Sequence, residues 1–169
     1  MLTRGVTTSL AGAPATADFK ELFQNVPSAV TVVTAMEDRQ PHATTVSSFC
    51  SLSAEPALVL VALALDSRLL PMIERTARFG INVLAADQEW IGLACASKRA
   101  DKMGGIDWRD VEGLPKLVDT AGWLDCDLER TVWAGDHKIV IGAPRAIDVA
   151  PVVPLIYHRK AFCVATAAA

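Results

Sequence analysis

Ala57 to Leu65 reads ALVLVALAL, an unbroken apolar run with a charged residue, Asp66, directly after it. It is too short for a core helix and has the length of a buried strand. Shorter runs of the same kind recur along the chain. Ala29 to Ala35 is β-branched, His42 to Phe49 reads as a second strand, and Ile81 to Ala85 is another. HKIVIGA, RAIDVA, PLIYH and AFCVA supply further short strands. In WLDCDLE, Leu124, Cys126 and Leu128 alternate with Asp125, Asp127 and Glu129. That period of two marks a half-buried antiparallel strand. Helical patterns are few. Phe19 to Gln24 looks like the end of a short helix stopped before Pro27. DSRLLPMIERTARFG reads as a helix with Asp66 or Ser67 as N-cap and Gly80 as its stop, and DQEWIGLACAS starts another at Asp87. EDRQP is a turn and KRADKMGGIDW a loop. About eight short strands and about three helices, without regular β–α alternation, predict a mainly β, antiparallel barrel with helices packed outside.

A chain of 169 residues, 51% apolar, suits one domain with a sizeable core. We expect a flexible tail over 1–17 and a single domain over 18–169, with the terminal ATAAA frayed. A net charge of −3 with acids and bases well mixed gives no basic surface for nucleic acid. No apolar run reaches the ~18 residues that span a bilayer, so no membrane role is expected. Cys50, Cys95, Cys126 and Cys163 are widely spaced and form no C-x-x-C pair. They read as reduced, buried thiols of a cytoplasmic protein, not as a disulfide framework or a zinc site.

Three nucleotide and hydrolase signatures are missing: G-x-G-x-x-G after a strand, G-x-x-x-x-G-K-[ST], and G-x-S-x-G. What the chain does carry is HATTVSSFCSLS, with hydroxyls at Thr44, Thr45, Ser47, Ser48, Ser51 and Ser53 between two apolar strands. On a strand, Thr45 and Ser47 share a side with Phe49, and Thr44 and Ser48 share the other. Buried hydroxyls need partners or cost ~1–3 kcal/mol each. They either bond to nearby backbone or border the polar edge of a flat heterocycle. Ser67 and Arg68, where a strand gives way to a helix, form either an N-cap with a solvated arginine or a phosphate site. His137, after the turn Gly135-Asp136, is a turn histidine or a group that donates a hydrogen bond to a carboxamide or moves a proton. YHRK, residues 157–160, groups an aromatic, a histidine and an arginine. A metal site from His42, His137 and His158 is argued against by their wide spacing and the lack of partnering acids, so no metal is expected.

The order of these segments resembles one family. AVTVVTA, PHATTVSSFCSLSAEPALVLVAL, SRLL, FGINVLAADQ, DKMGGIDW, AGDHKIVIGA and LIYHRKAF, from about Phe19 to Phe162, are similar to the short-chain NAD(P)H:flavin oxidoreductases, the reductase components of two-component flavin-dependent monooxygenases. The resemblance implies a split β-barrel of Greek-key topology, an FMN-binding split barrel with a few flanking helices, working as a homodimer. It implies FMN or FAD as flavin and NADH or NADPH as hydride donor, with a separate monooxygenase receiving reduced flavin by diffusion. It places Thr44, Thr45, Val46, Ser47 and Ser48 beside the flavin ring, Ser67 and Arg68 on the phosphate, and Lys102 and Met103 near the phosphate or ribityl chain. His137 is then catalytic on the nicotinamide side, with Tyr157, His158 and Arg159 nearby. Leu69, Met103 and Lys160 depart from the residues usual there: Ser or Thr, Phe, and Gly. The rival implied by the same barrel is a non-catalytic flavin- or haem-binding module; a remoter one is an oxidase of a small amine working through FMN.

Overall fold

A computed structural model of the protein describes residues 15–165, so most of the expected tail and end lie outside the described residues. Within them Thr16 and Ala17, expected in the tail, open helix α1 (Thr16–Gln24). The principal sheet has seven antiparallel strands: β2 (Thr31–Glu37), β3 (Gln40–Val46), β4 (Cys50–Ala54), β5 (Ala57–Ala64), β6 (Arg78–Val83), β9 (Gly122–Ala134) and β10 (His137–Val149). Their order is β3-β2-β6-β9-β10-β5-β4.

The outermost strands, β3 and β4, are joined by only Ser47, Ser48 and Phe49. The four steps from Val46 to Cys50 span about 14 Å at most, so the sheet has to curl until its edges nearly meet. The result is a barrel closed by a link instead of a ladder. β2 to β5 then follow one another around the wall, and β6 returns through α2 (Leu69–Thr76) to pair beside β2, a Greek-key connection. The expected mainly β, antiparallel fold is borne out, and its topology agrees with a split barrel; the expectation that the helices pack outside fails for α2, whose apolar face enters the barrel core.

Two cores follow. Inside the barrel lie Val33, Ala35, Val61, Leu63, Phe79, Ile81, Cys126 and Val140. Helix α2 plugs this interior with Leu69, Leu70, Met72 and Ile73, the i, i+1, i+3, i+4 stripe of an amphipathic helix. Outside, Val30, Val32, Leu84 and Leu155 pack under α3 (Glu89–Ala96) through Ile91 and Cys95. Strand β2 is therefore buried on both sides, which is why AVTVVTA lacks alternation. A hairpin of β7 (Trp108–Val111) and β8 (Leu114–Leu117) lies against β2 and β6. Asn82, fully buried, fastens it: its Nδ2 donates to the Val32 carbonyl (3.2 Å), and its Oδ1 accepts from Leu117 N–H (2.8 Å). β1 (Ser28–Ala29), β11 (Leu155–His158) and β12 (Ala161–Val164) form a small separate sheet.

Several sequence expectations are corrected. HKIVIGA and RAIDVA are one thirteen-residue strand, β10, bent by irregularities at Ile141/Gly142 and Pro144/Ala146. His42 to Phe49 is not a single strand; pairing with β2 ends at Val46, so the pleat does not govern where Ser47 and Ser48 point. The β4, β7 and β8 strands carry neither strong alternation nor an apolar run, so their sequence pattern does not predict them. α2 stops at Ala77, in the left-handed region at φ 54°, and Gly80 lies inside β6. Gly80 is instead a close-approach residue, since a Cβ there would meet Thr34 Oγ1 at 2.5 Å. Neither Asp66 nor Ser67 is the N-cap; that position is Arg68, and Ser67 Oγ only accepts a 3.3 Å bond from Leu69 N–H. Of the four free cysteines only Cys95 and Cys126 are buried. Burial pushes their thiols up to about 11 and about 12.

Gly142 sits at one of the β10 irregularities, and a Cβ there would lie 2.4 Å from Phe79 Cζ and 3.0 Å from Cys126 Cβ. Phe79 is fully buried and has nowhere to move. Gly142→Ala should cost about 1–3 kcal/mol in urea unfolding. Adding Phe79→Leu should recover part of that loss, and simple additivity of the two costs would refute the clash.

Candidate active site

The seam between β3 and β5 opens onto a cavity of about 650 Å³. β3 supplies His42, Thr44, Thr45 and Val46 to its wall, the link supplies Ser47 and Ser48, and β5 supplies Ala62 to Ala64. Asp66, Ser67, Arg68 and Leu69 come from the approach to α2, and Ser97, Lys98, Lys102 and Met103 from the segment after α3. His137 closes the ring from the start of β10. Ten of the residues singled out from sequence thus meet around one space: Thr44, Thr45, Val46, Ser47, Ser48, Ser67, Arg68, Lys102, Met103 and His137.

The hydroxyls divide into two groups. Ser48 Oγ donates to the Ala62 carbonyl (3.1 Å) and accepts from Ala62 N–H (2.9 Å). β4 has already ended beside Leu60, so this side chain serves the peptide groups that a strand partner would otherwise take. Thr45 Oγ1 donates to the Gly92 carbonyl at 2.7 Å and ties β3 to α3. For these two the backbone alternative was the right one. Thr44 and Ser47 have no side-chain hydrogen bond among the described residues, and their hydroxyls are free for a ligand.

Charge is uneven. Among the described residues, Arg68, Lys98 and Lys102 line the cavity against one carboxylate, Asp66. Arg68 donates through Nη2 to the Arg99 carbonyl (2.8 Å), holding the segment after α3 against the start of α2. Asp101 Oδ1 accepts from the Met103 (3.0 Å) and Gly104 (2.8 Å) amides and so fixes the turn that presents Lys102. Burial holds the Lys102 ammonium below the ordinary lysine range; the Cys95 thiol opposes this and the Arg68 charge reinforces it. A cation partly stripped of water among other cations is disposed to take an anion.

His137 follows a two-residue turn with Gly135 at φ 62°. The Asp136 carbonyl accepts from Leu65 N–H (3.1 Å), which pins the turn to the end of β5. The Asp136 carboxylate lies 2.7 Å from His137 Nδ1, and that hydrogen bond holds its carboxyl below the usual range. With Nδ1–H donating to Asp136, a neutral His137 presents Nε2 as an acceptor and not as the expected donor.

Tyr157, His158 and Arg159 do not reach this cavity within one chain. Tyr157 lines a second space of about 260 Å³ with Phe19, Phe23 and Val26, joined to the first only through the shared residue Ser47. Arg159 and Lys160 form the β11–β12 turn with positive φ, and Arg159 bonds to the Gln24 carbonyl and Asn25 Oδ1. That φ explains why glycine suits the position of Lys160. Leu69 is a core residue, 3% exposed, so its departure costs the cavity a hydroxyl but serves the barrel plug. Met103 also packs into the outer core. His42 and His137 share the cavity and His158 does not; no cluster of three metal-ligating side chains occurs among the described residues. Sequence reading missed Asp66, Ser97 and Lys98 as wall residues. The charge run SKRADK was the available signal, but only its docking on α2 through Arg68 shows which charges turn inward.

A family model described as flavin reductase like domain matches residues 23–166. The reductase subunit HsaB of a flavin-dependent monooxygenase from Mycobacterium tuberculosis is 34% identical over 145 residues, covering 83% of this chain and 78% of that protein. An NADH:riboflavin 5'-phosphate oxidoreductase from Streptomyces pristinaespiralis is 33% identical, with 85% of each chain covered. Among solved structures, an NADH:FAD oxidoreductase from Streptomyces globisporus superposes with a TM-score of 0.86 at 26% identity, covering 94% of this chain and 98% of that one. A barrel seam lined by free hydroxyls, flanked by cations and closed by a histidine, is thus found in a chain that belongs to the flavin reductase like family.

Proposed function

We propose that the protein is an NAD(P)H-dependent flavin reductase that passes a hydride to FMN or FAD and supplies reduced flavin to a separate monooxygenase. The observation that carries this is the convergence on one cavity of the free Thr44 and Ser47 hydroxyls, the cations of Arg68, Lys98 and Lys102, and the His137–Asp136 pair. These residues fit a flavin mononucleotide unit: hydroxyls and backbone amides of the 44–48 segment for the ring edge, and Ser67, Arg68 and Lys102 for the phosphate. The bound flavin supplies the hydride acceptor; the chain supplies placement. Val46 and Met103 give apolar contact to the ring and ribityl chain. Asp136 fixes the His137 tautomer, so Nε2 can accept from the amide N–H of a nicotinamide carboxamide and hold the donor ring against the flavin. No covalent step on the protein is needed. Supply to an oxygenase by diffusion agrees with an open cavity and with the missing hydroxyl at Leu69, both of which favour release.

The same reading makes the protein a homodimer in the cytoplasm, where reduced nicotinamides are made. Exposed apolar side chains support the dimer: Phe19, Phe23, Trp90 and Leu93 on the helices, and Trp133, Ile147 and Val149 on the long hairpin. A second chain would cover them, and Tyr157, His158 and Arg159 would reach a cavity only across that interface. Light scattering should give a dimer at micromolar concentration. A fully active monomer would refute it. No helix among the described residues is long and apolar enough to cross a membrane.

Purified protein should oxidise NADH or NADPH only when free flavin is added. A flavin-binding module would retain flavin without turnover, and an amine oxidase would turn over without nicotinamide. Arg68→Ala should weaken FMN binding by roughly tenfold to a hundredfold, from loss of a charge-assisted contact worth ~1.5–3 kcal/mol. Riboflavin, which has no phosphate, should bind almost as before; equal losses would show that Arg68 acts on the fold. His137→Ala should raise KM for NADH and slow flavin reduction while FMN affinity holds. Wild-type NADH kinetics in that variant would remove His137 from the mechanism.

A further inference from the structure

The His137 ring is half exposed, and its recorded hydrogen bond is to the neighbouring Asp136, itself on the tip of the β9–β10 hairpin. The Leu65–Asp136 backbone bond and the β5–β10 ladder hold the tip on one side, and side chains on α2 must add to this to reach the precision hydride transfer requires. Three side-chain contacts do so, two of them on Glu74 of α2. Lys138 Nζ forms an ion pair with Glu74 Oε1, and Thr131 Oγ1 donates to the same oxygen at 3.3 Å. Lys138 Nζ also stands 4.6 Å from the centre of the Trp133 ring, its cross-strand partner. The Lys138 side chain is 14% exposed, although it is a lysine at the mouth of a barrel. Trp133 is otherwise largely in solvent, with 68% of its surface exposed.

Helix α2 is a rigid anchor, because Leu69, Leu70, Met72 and Ile73 are all in the barrel core. Arg68, at its start, lies six residues before Glu74, about 9 Å along the helix at ~1.5 Å per residue. The helix is therefore a ruler with the cavity's cation at one end and the clamp on the hairpin at the other. His137 and Lys138 are consecutive on β10 and point to opposite sides of it. Fixing Lys138 fixes the orientation of the strand that carries His137.

We propose that Glu74 and Lys138 are positioning residues for the reductase reaction: by clamping the β9–β10 hairpin to α2, they set where His137 stands relative to the site of the flavin phosphate. This rests on the flavin reductase reading for its catalytic consequence. It does not rest on it for the mechanical one, and two measurements separate the two. In hydrogen exchange, Glu74→Gln and Lys138→Met should each speed exchange across residues 131–139, leaving the buried amides of α2 and β5 unchanged. In stopped-flow reduction, both variants should slow hydride transfer from NADH by roughly threefold to thirtyfold, with FMN affinity unaltered. Lys138→Arg, which keeps the charge, should restore the wild-type rate. The double variant Glu74→Gln/Lys138→Met should slow the reaction by less than the product of the two single effects, because the shared ion pair can be broken only once while the Thr131 and Trp133 contacts are lost separately.

Unchanged exchange in the hairpin would overturn the clamp whatever the enzyme does. Faster exchange with wild-type NADH kinetics would overturn its catalytic role. Equal loss of FMN affinity, or failure of Lys138→Arg to rescue, would show a general packing effect and overturn the proposal as well. Failure of the wild-type protein to oxidise NADH or NADPH with any flavin would instead remove the reductase reading, and the exchange result would still decide the clamp.

Discussion

The structure depends on how a seven-stranded sheet is closed with only three residues between its edge strands. The ladder cannot continue through so short a link, and β5 is left beyond Leu60 with peptide groups that lack a strand partner on one side. Ser48 resolves this with one side chain, giving to and taking from Ala62. A buried peptide group without a partner costs about as much as a lost hydrogen bond, so this double contact decides whether the seam is tolerable. Because a side chain does the work of a strand, the walls stay apart on either side of it. The cavity is the gap that remains.

Everything chemical in the proposed site is set at that gap. The plug helix α2 must begin where β5 ends, so its first residues arrive at the rim. The β9–β10 hairpin must turn back where β5 ends, and the Leu65–Asp136 backbone bond fixes His137 at the same rim. The segment after α3 reaches it because Arg68 holds the Arg99 carbonyl. Cations and histidine are brought together by the requirement to cap one end of a barrel, with the polar groups left at the end that the apolar plug does not fill.

Much of this was legible. The apolar runs gave most of the strands because a fully buried strand leaves no room for polar side chains, as in ALVLVALAL and AVTVVTA. Turn chemistry placed the Asp38-Arg39 and Gly135-Asp136 hairpins. The strands that escaped detection were those whose pattern is decided by neighbours. β4 is largely exposed at a sheet edge, and β7 and β8 form a hairpin whose place depends on buried Asn82. Gly80 misled because glycine serves both to stop helices and to admit a close neighbour, and only the position of Thr34 distinguishes the two.

Sequence by itself determined that the chain is a β-barrel with a hydroxyl-rich segment, a cation at a strand-to-helix junction and a histidine after a turn, because each of these is a local pattern. It could not determine which hydroxyls were available. Thr45 and Ser48 are consumed by Gly92 and Ala62, which lie 47 and 14 residues away along the chain, while Thr44 and Ser47 are left open. Nor could it show that Lys98 turns inward or that Glu74 grips the hairpin of His137. A hydrogen bond is a short-range interaction between groups often far apart in sequence, so a polar side chain's role is settled only when the fold decides what stands within about 3 Å of it.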